Sequence, residues 1–431
     1  MTLQEIKKKL KENILHGEFG IEKESLRVTG EGILADTKHP YMDRYHVEEQ
    51  ISRDFAESQL EFVSKVHTTV DSACQEICFL QSLVEEEIEN RKTGREYVWT
   101  YSNPPGFYGE KNIRIAEFKE DLEGKNTYRH YLSEKYGRVK MLFSGVHLNF
   151  SMPEKFFALL QELTGEEIQT LKNEWYLNLA DCLMEDSWLL VALTSASPVA
   201  EPDFLKGLGV PREEWNQYAS FRNSKYGYWN LFIPCLSYRD FTQYLFSIEE
   251  YIKQGFLSCV HELYYPLRLK PKGDNTLENL KSQGVNHIEL RMLDLNLMSC
   301  AGVAKEDLIF IHLLIAYRIS QILETGKKEY VALREKEERI LLHQKAAELD
   351  FWEKEKGYRN SALKLLGDMK EFYLDYEENA KGYIPKEYDI KELLSFQERK
   401  ILYANCRYSQ QILEKYKDNY IHGVMEEIKE R

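Results

Sequence analysis

The chain has 431 residues, 43% of them hydrophobic, and a formal net charge of -14. That length can bury a large core and leaves the number of domains open. The acidic balance, with no dense run of Lys and Arg, argues against a nucleic-acid surface and an anionic membrane, both of which need clustered cations, and leaves small molecules as the expected partners.

The first stretch, MTLQEIKKKLKENIL, reads as an amphipathic helix with Leu3, Ile6, Leu10 and Ile14 on one stripe and without the continuous apolar run of a signal peptide. In GIEKESLRV, strand alternation points Glu22 and Glu24 the same way. In ESQLEFV, Glu57 and Glu61 share a face opposite Leu60 and Phe62, and Asp54 stands just before them. A helix is expected from Asp71, as its cap, to about Lys92, with Gly94 as its stop and Cys74, Ile77, Val84 and Ile88 on its apolar stripe. MLFSGVHLNFS sets His147 and Asn149 against Val146, Leu148 and Phe150. Thr164 and Glu167 read as a capping box that opens the next helix, and Asp240 to Gly255 as a further one. VHELYYPLRLK places Glu262, Tyr264, Arg268 and Lys270 on one parity, with Pro266 interrupting the count, and NHIELRMLDLN sets Glu289 and Arg291 against Ile288, Leu290 and Met292. A helix from Glu306 to about Glu324 follows. Beyond residue 327 the sequence is charged, poor in glycine and helix-prone, with Pro385 its only proline, and reads as a helical subdomain.

The longest apolar stretches, Trp188 to Leu193 and Leu308 to Ala316, fall short of the roughly 20 residues that span a bilayer, so the expected location is the cytoplasm, with no membrane partner. The seven cysteines are odd in number and lack C-x-x-C pairs, as free thiols would be. Cys74 and Cys78, one helical turn apart, read as packed small hydrophobes rather than metal ligands.

For any single strand, a solvated polar face is the commoner explanation of charged alternation. Here five strand-like segments each oppose an apolar face to one bearing carboxylates, His or Arg. A sheet built from them would gather Glu22, Glu24, Glu57, Glu61, Glu289, His147 and Arg291 on one side, and so many carboxylates cannot share a concave surface without cations between them. Hard oxygen ligands with one imidazole suit Mg²⁺ or Mn²⁺ better than structural zinc. There is no phosphate-binding G-x-x-x-x-G-K-[ST], no G-x-G-x-x-G, no H-E-x-x-H and no G-x-S-x-G, which removes the common nucleotide, zinc and covalent-hydrolase motifs. Polar groups crowd YASFRNSKYGYWN, with Arg222, Ser224 and Tyr228, while YRHYLSEKYG offers Tyr128 and Leu132 one turn apart.

Eight stretches, in order, resemble the bacterial type of the glutamate–cysteine ligase family: FGIEKESLRV with GILADTKHP, SRDFAESQLEFVSKV, YRHYLSEKYG, MLFSGVHLNFS, SASPVAEPDFLKG, ASFRNSKYGY, HELYYPLRLKP and GVNHIELRMLDLN. They run from about residue 16 to 300, and no motif match extends into the C-terminal third. The resemblance implies an α+β, glutamine-synthetase-like fold: a curved antiparallel sheet with helices packed behind it, residues 1–300 forming the catalytic core and 301–431 a mostly helical region packed on that core. It implies metal ligands at Glu22, Glu24, Asp54, Glu61, His147 and Glu289, most of which strand parity gathers independently. It further implies a cysteine pocket of Phe55, Tyr128, Leu132, Tyr228 and Tyr264, catalytic arginines at Arg222 and Arg291, and nucleotide-side cations at Arg268 and Lys270.

The implied reaction is ATP-dependent joining of the γ-carboxylate of L-glutamate to the amine of L-cysteine through a γ-glutamyl phosphate, with Mg²⁺ (or Mn²⁺), in a monomer or weak oligomer. The alternatives are a ligase of the same fold using another amine and a catalytically silent metal- or nucleotide-binding relative. HELYYPLRLKP departs from the family pattern in the His before its Glu and the second Tyr after Tyr264. Some relatives continue into an ATP-grasp domain that completes glutathione; without one in this sequence, the expected product is γ-glutamylcysteine.

Overall fold

The computed structural model describes residues 2–40, 49–89, 91, 94–118, 124–326 and 333–430. Among them, seven strands form one antiparallel sheet: β1 (Glu18–Thr29), β2 (Ile51–Arg53), β3 (Gln59–Val63), β4 (Glu96–Trp99), β5 (Gly145–Ser151), β6 (Leu267–Lys270) and β7 (His287–Asp294). The spatial order is β2-β3-β1-β5-β7-β6, and β4 pairs with the end of β1. This order sets strands from remote parts of the chain side by side, with Glu22 opposite His147, Glu24 opposite Glu61, and Glu289 opposite both Asn149 and Arg268. Because successive residues of a strand point to opposite faces, these polar side chains share one side of the sheet. Phe19, Ile21, Val146, Leu148, Phe150, Ile288 and Leu290 enter a hydrophobic core on the other.

The helices are α1 (Leu3–Glu12), α2 (Val70–Glu89), α3 (Lys125–Tyr136), α4 (Glu154–Thr164), α5 (Ile168–Glu185), α6 (Ser187–Thr194), α7 (Pro202–Gly207), α8 (Phe241–Lys253) and α9 (Leu277–Gln283), followed by α10 (Lys305–Thr325), α11 (Leu333–Ala346), α12 (Phe351–Lys354), α13 (Lys356–Asp375), α14 (Ile390–Leu402), α15 (Tyr408–Tyr416) and α16 (Tyr420–Glu430). Helices α2, α5 and α6 pack on the sheet, and α10 lies against α2 and α5. A second hydrophobic cluster, with Leu26, Phe55, Trp99, Leu132 and Tyr264, takes in Tyr416, Tyr420 and Val424 from the last two helices. Both clusters combine residues from either side of position 300.

Several element ends differ from the sequence expectations for local reasons. In α1, Thr2 and Glu5 form a reciprocal capping box, and Ile6, Leu10 and Ile14 are buried while Leu3 is exposed. Helix α2 starts one residue before Asp71; the Thr69 hydroxyl accepts from the Ser72 amide, while Asp71 pairs with Lys305. Its expected end at Lys92 lies outside the described residues. Thr164 and Glu167 form no box. Thr164 closes α4 before the left-handed Gly165, and the Glu167 side chain itself caps α5 by accepting from the Thr170 amide. Asp240 caps α8 as expected. The parity count through Pro266 fails upstream of it, because Val260–Glu262 is a 3-10 turn and the strand begins at Leu267. Among the described residues, α10 alone is long and apolar enough to cross a bilayer, and 67% of its apolar window is buried inside the molecule, as in a core helix.

Candidate active site

Strands β1, β5 and β7 bring Glu22, His147 and Glu289 together, each offering a ligand atom within 4.8 Å of the others, so these three could hold a metal ion. His147 Nδ1 lies 3.2 Å from Glu22 Oε2 and 3.9 Å from Glu289 Oε1. Its Nε2 is buried without a hydrogen-bond partner, 3.8 Å from Glu24 Oε1. Asn149, on the same face of β5, donates to Glu22 Oε1 at 2.9 Å and steadies that carboxylate.

Glu22, Glu24, His147 and Glu289 line a cavity of about 330 Å³ that also receives Asp54, Phe55, Glu61, Tyr128, Leu132, Tyr228, Tyr264, Arg268, Lys270 and Arg291. Arg222 alone of the expected site residues stands behind the wall. Its Nη2 donates to the Arg291 carbonyl at 2.7 Å, and it borders a smaller cavity of about 20 Å³ together with Arg291, Tyr228 and Tyr264. It can lie there because residue 145 is glycine: a Cβ at that position would stand 2.3 Å from the Arg222 guanidinium. The Gly145 amide in turn donates to Glu24 Oε2 at 2.8 Å.

Charge divides the cavity into two halves. Around Glu22 and Glu289, burial favours the neutral acids but cations outweigh it. Lys270 Nζ lies 3.2 Å from Glu289 and 3.7 Å from Glu22, and Arg291 lies 3.1 Å from Glu289, with Arg268 at 3.9 Å. The Glu22 carboxyl is held down to about 2, and that of Glu289 well below the usual range. In the other half, burial and the charge of Asp54 push Glu24 up to about 8 and Glu61 up to about 7, and burial raises Asp54 as well. Three acids short of positive charge beside an unpartnered imidazole nitrogen form a donor set that fits hard divalent cations. Burial and then Arg291 pull His147 down to about 4, so near neutral pH the ring is uncharged and able to act as a ligand.

Part of the cavity lining is aromatic and aliphatic. Tyr128 and Leu132 project from one face of α3, and the Tyr228 and Tyr264 rings lie 4.3 Å apart. Glu57, gathered by strand parity, and Glu262, set on one parity with Tyr264 and Arg268, do not line the cavity. Glu57 precedes β3 and pairs with Arg53 at 2.8 Å, and Glu262 is buried against Lys135 and Tyr136. Sequence reasoning missed Arg129, which lines the cavity and donates through Nε to the Asp54 carbonyl. Helical spacing within YRHYLSEKYG carried that signal, since residues 128, 129 and 132 share one face. His261, noted only as a departure from the family pattern, stands at the cavity too.

Residues 3–340 match the family model described as glutamate-cysteine ligase. The chain is 38% identical over 317 residues to the glutathione biosynthesis bifunctional protein of Listeria monocytogenes, covering 71% of this chain and 41% of that protein. It is 37% identical over 322 residues to the protein of the same description from Clostridium perfringens, covering 72% and 41%. The chain thus spans about two fifths of the length of these curated relatives. Among solved structures, it is similar to a bifunctional glutathione synthetase from Pasteurella multocida, with a TM-score of 0.80 and 23% identity over 99% of this chain and 53% of that one. It is also similar to a glutamate–cysteine ligase from Francisella tularensis in complex with AMP, with a TM-score of 0.77 and 21% identity over 96% and 88%. At these identities the structural likeness speaks for the α+β fold alone.

Proposed function

The chain belongs to the glutamate–cysteine ligase family, and from that premise we propose that it joins the γ-carboxylate of L-glutamate to the amine of L-cysteine at the expense of ATP, the first step of glutathione synthesis. The observation that carries the reading is that acids, cations and aromatic side chains line one cavity. A carboxylate is a poor electrophile until one oxygen becomes a leaving group, and ATP provides this by phosphorylating it. The γ-glutamyl phosphate is attacked by the cysteine amine, and phosphate departs.

Magnesium, or manganese in its place, would be held by Glu22, His147 and Glu289 and by Glu24, Asp54 and Glu61, and supplies positive charge to phosphate oxygens. Arg291 presents a buried guanidinium to the reacting centre, and Arg222 supports it from behind. Together they offset negative charge as it develops on the phosphoryl group and on the tetrahedral carbon. Arg268 and Lys270 neutralise the nucleotide side. Phe55, Tyr128, Leu132, Tyr228 and Tyr264 hold the small apolar thiol side chain, keep water away and aim the amine. Residues 1–300 form the catalytic core in this reading, residues 301–431 buttress it, and the reaction belongs in the cytoplasm.

The test is ADP release by the purified chain with ATP, magnesium and glutamate, with and without cysteine, followed by the mass of the product. Cysteine-dependent ADP and a γ-glutamylcysteine mass are expected. Turnover with a different amine would discard the substrate and keep the chemistry, and no turnover with any amine would leave a silent binder.

A further inference from the structure

We infer that His343, on α11, is a positioning residue for Arg222, acting through the side chain of Asn223; the inference rests on the ligase reading for the role of Arg222. Asn223 Nδ2 lies 2.9 Å from the Met292 carbonyl oxygen, 3.1 Å from Ser220 Oγ and 3.3 Å from Asp294 Oδ1. A carbonyl oxygen only accepts, so this end of the amide is the NH2 group, and the oxygen end faces His343 Nε2 at 3.2 Å. An amide oxygen also only accepts. Nε2 therefore carries the ring hydrogen, and in the neutral ring Nδ1 is a bare acceptor. The neutral form prevails because His343 is fully buried, and burial together with nearby Arg222 pulls it down to about 3. Trp229 meets the imidazole edge-on at 5.2 Å and fixes its plane. The ring borders the cavity behind Arg222 and Arg291, whose 20 Å³ is room for one water to satisfy Nδ1.

Asn223 thus fastens the turn carrying Arg222 to the end of β7 on one side and to the C-terminal helices on the other. The same turn closes on Arg222 itself, whose carbonyl accepts from the Tyr228 amide at 3.0 Å, while its guanidinium spans the Arg291 and Leu293 carbonyls. His343 lies beyond residue 340, where the match to the family model stops.

Two substitutions in the full chain separate positioning from mere packing. His343→Gln keeps an amide N–H where Nε2 lies; His343→Asn moves it toward Nδ1 and leaves the Asn223 oxygen unmet. Kcat of the Asn variant should fall about tenfold below that of the Gln variant, with KM for ATP and cysteine within about twofold, in line with the cost of small misplacements at a reacting centre. Amide exchange across residues 219–230 should quicken in the Asn variant alone. Equal kcat and equal exchange in the two variants would overturn the role, as would losses that follow melting temperature in both. A parent chain without turnover on glutamate, cysteine and ATP would instead refute the ligase reading, and the exchange comparison would still decide whether His343 holds the turn.

Discussion

Glu289 is where the charges of the site converge: its carboxylate is fully buried, opposite Asn149 and Arg268 in register, with Lys270 and Arg291 within 3.2 Å. Glu289→Gln keeps the volume and removes the charge, so turnover should fall about 100- to 1,000-fold, the scale of losing one preorganised electrostatic partner. An unchanged circular dichroism spectrum would show that the fold survives; normal turnover at saturating magnesium would remove Glu289 from the ligand set. Gly145 is the second decisive residue, because a methyl group there meets the Arg222 guanidinium at 2.3 Å. Gly145→Ala should push Arg222 off the strand and lower kcat about tenfold or more. A kcat equal to that of the parent would mean that Arg222 has no part in the reaction. Strand alternation gave most of these residues away beforehand, since Glu22 and Glu24, His147 and Asn149, and Glu289 and Arg291 each share a parity. It misled at Glu57, where the chain turns before β3 begins and the carboxylate swings to Arg53.

At the scale of elements, α3 is the wall that the cysteine side chain would meet. Tyr128→Ala should raise KM for cysteine about tenfold, within the range that one pocket contact decides, and leave KM for ATP within about twofold. Equal rises for both substrates would mean that α3 shapes the whole cavity rather than one pocket. On the opposite side, α14 is tied to α10 by Lys400 and Asp307, an ion pair with both side chains almost fully buried; Lys400 also donates to the Leu193 carbonyl at the end of α6. Lys400→Met strands a buried carboxylate and should cost about 3–5 kcal/mol in urea unfolding, much of it restored in a double variant with Asp307→Leu. No recovery in the double variant would mean that the cost is packing and not charge.

For the whole molecule, histidines kept neutral in the core should make part of the stability depend on pH on the acid side. His312, bonded to the Tyr388 hydroxyl, and His343 are both buried, and burial pulls each down to about 3. In the unfolded chain a histidine titrates near its ordinary value of about 6.5. Between these two values the unfolded state takes up a proton that the folded state refuses, so the stability that these two histidines contribute is full above about pH 6.5 and falls as pH drops toward 3. At pH 5 each histidine should cost about 2 kcal/mol relative to pH 7. His343→Gln should flatten the fall in the denaturation midpoint by its share, and a slope unchanged by that substitution would show that other groups set it.

The sequence by itself determined which side chains could meet, because a period of two along a strand places Glu22 with Glu24, His147 with Asn149, and Glu289 with Arg291 on one face each. It also determined that long helices would dominate the tail, since charge and the scarcity of glycine and proline beyond residue 327 allow little else. What only the tertiary structure decided was neighbourhood. The order β3-β1-β5-β7 sets Glu61, Glu24, His147 and Glu289 side by side, although they are spread over more than 250 residues of chain. Local pattern carries no information about which strand pairs with which, and the partner of His343 was hidden for the same reason. A lone histidine in a charged helical tail has no period to betray it, and its meaning comes from the Asn223 oxygen that packing brings to 3.2 Å.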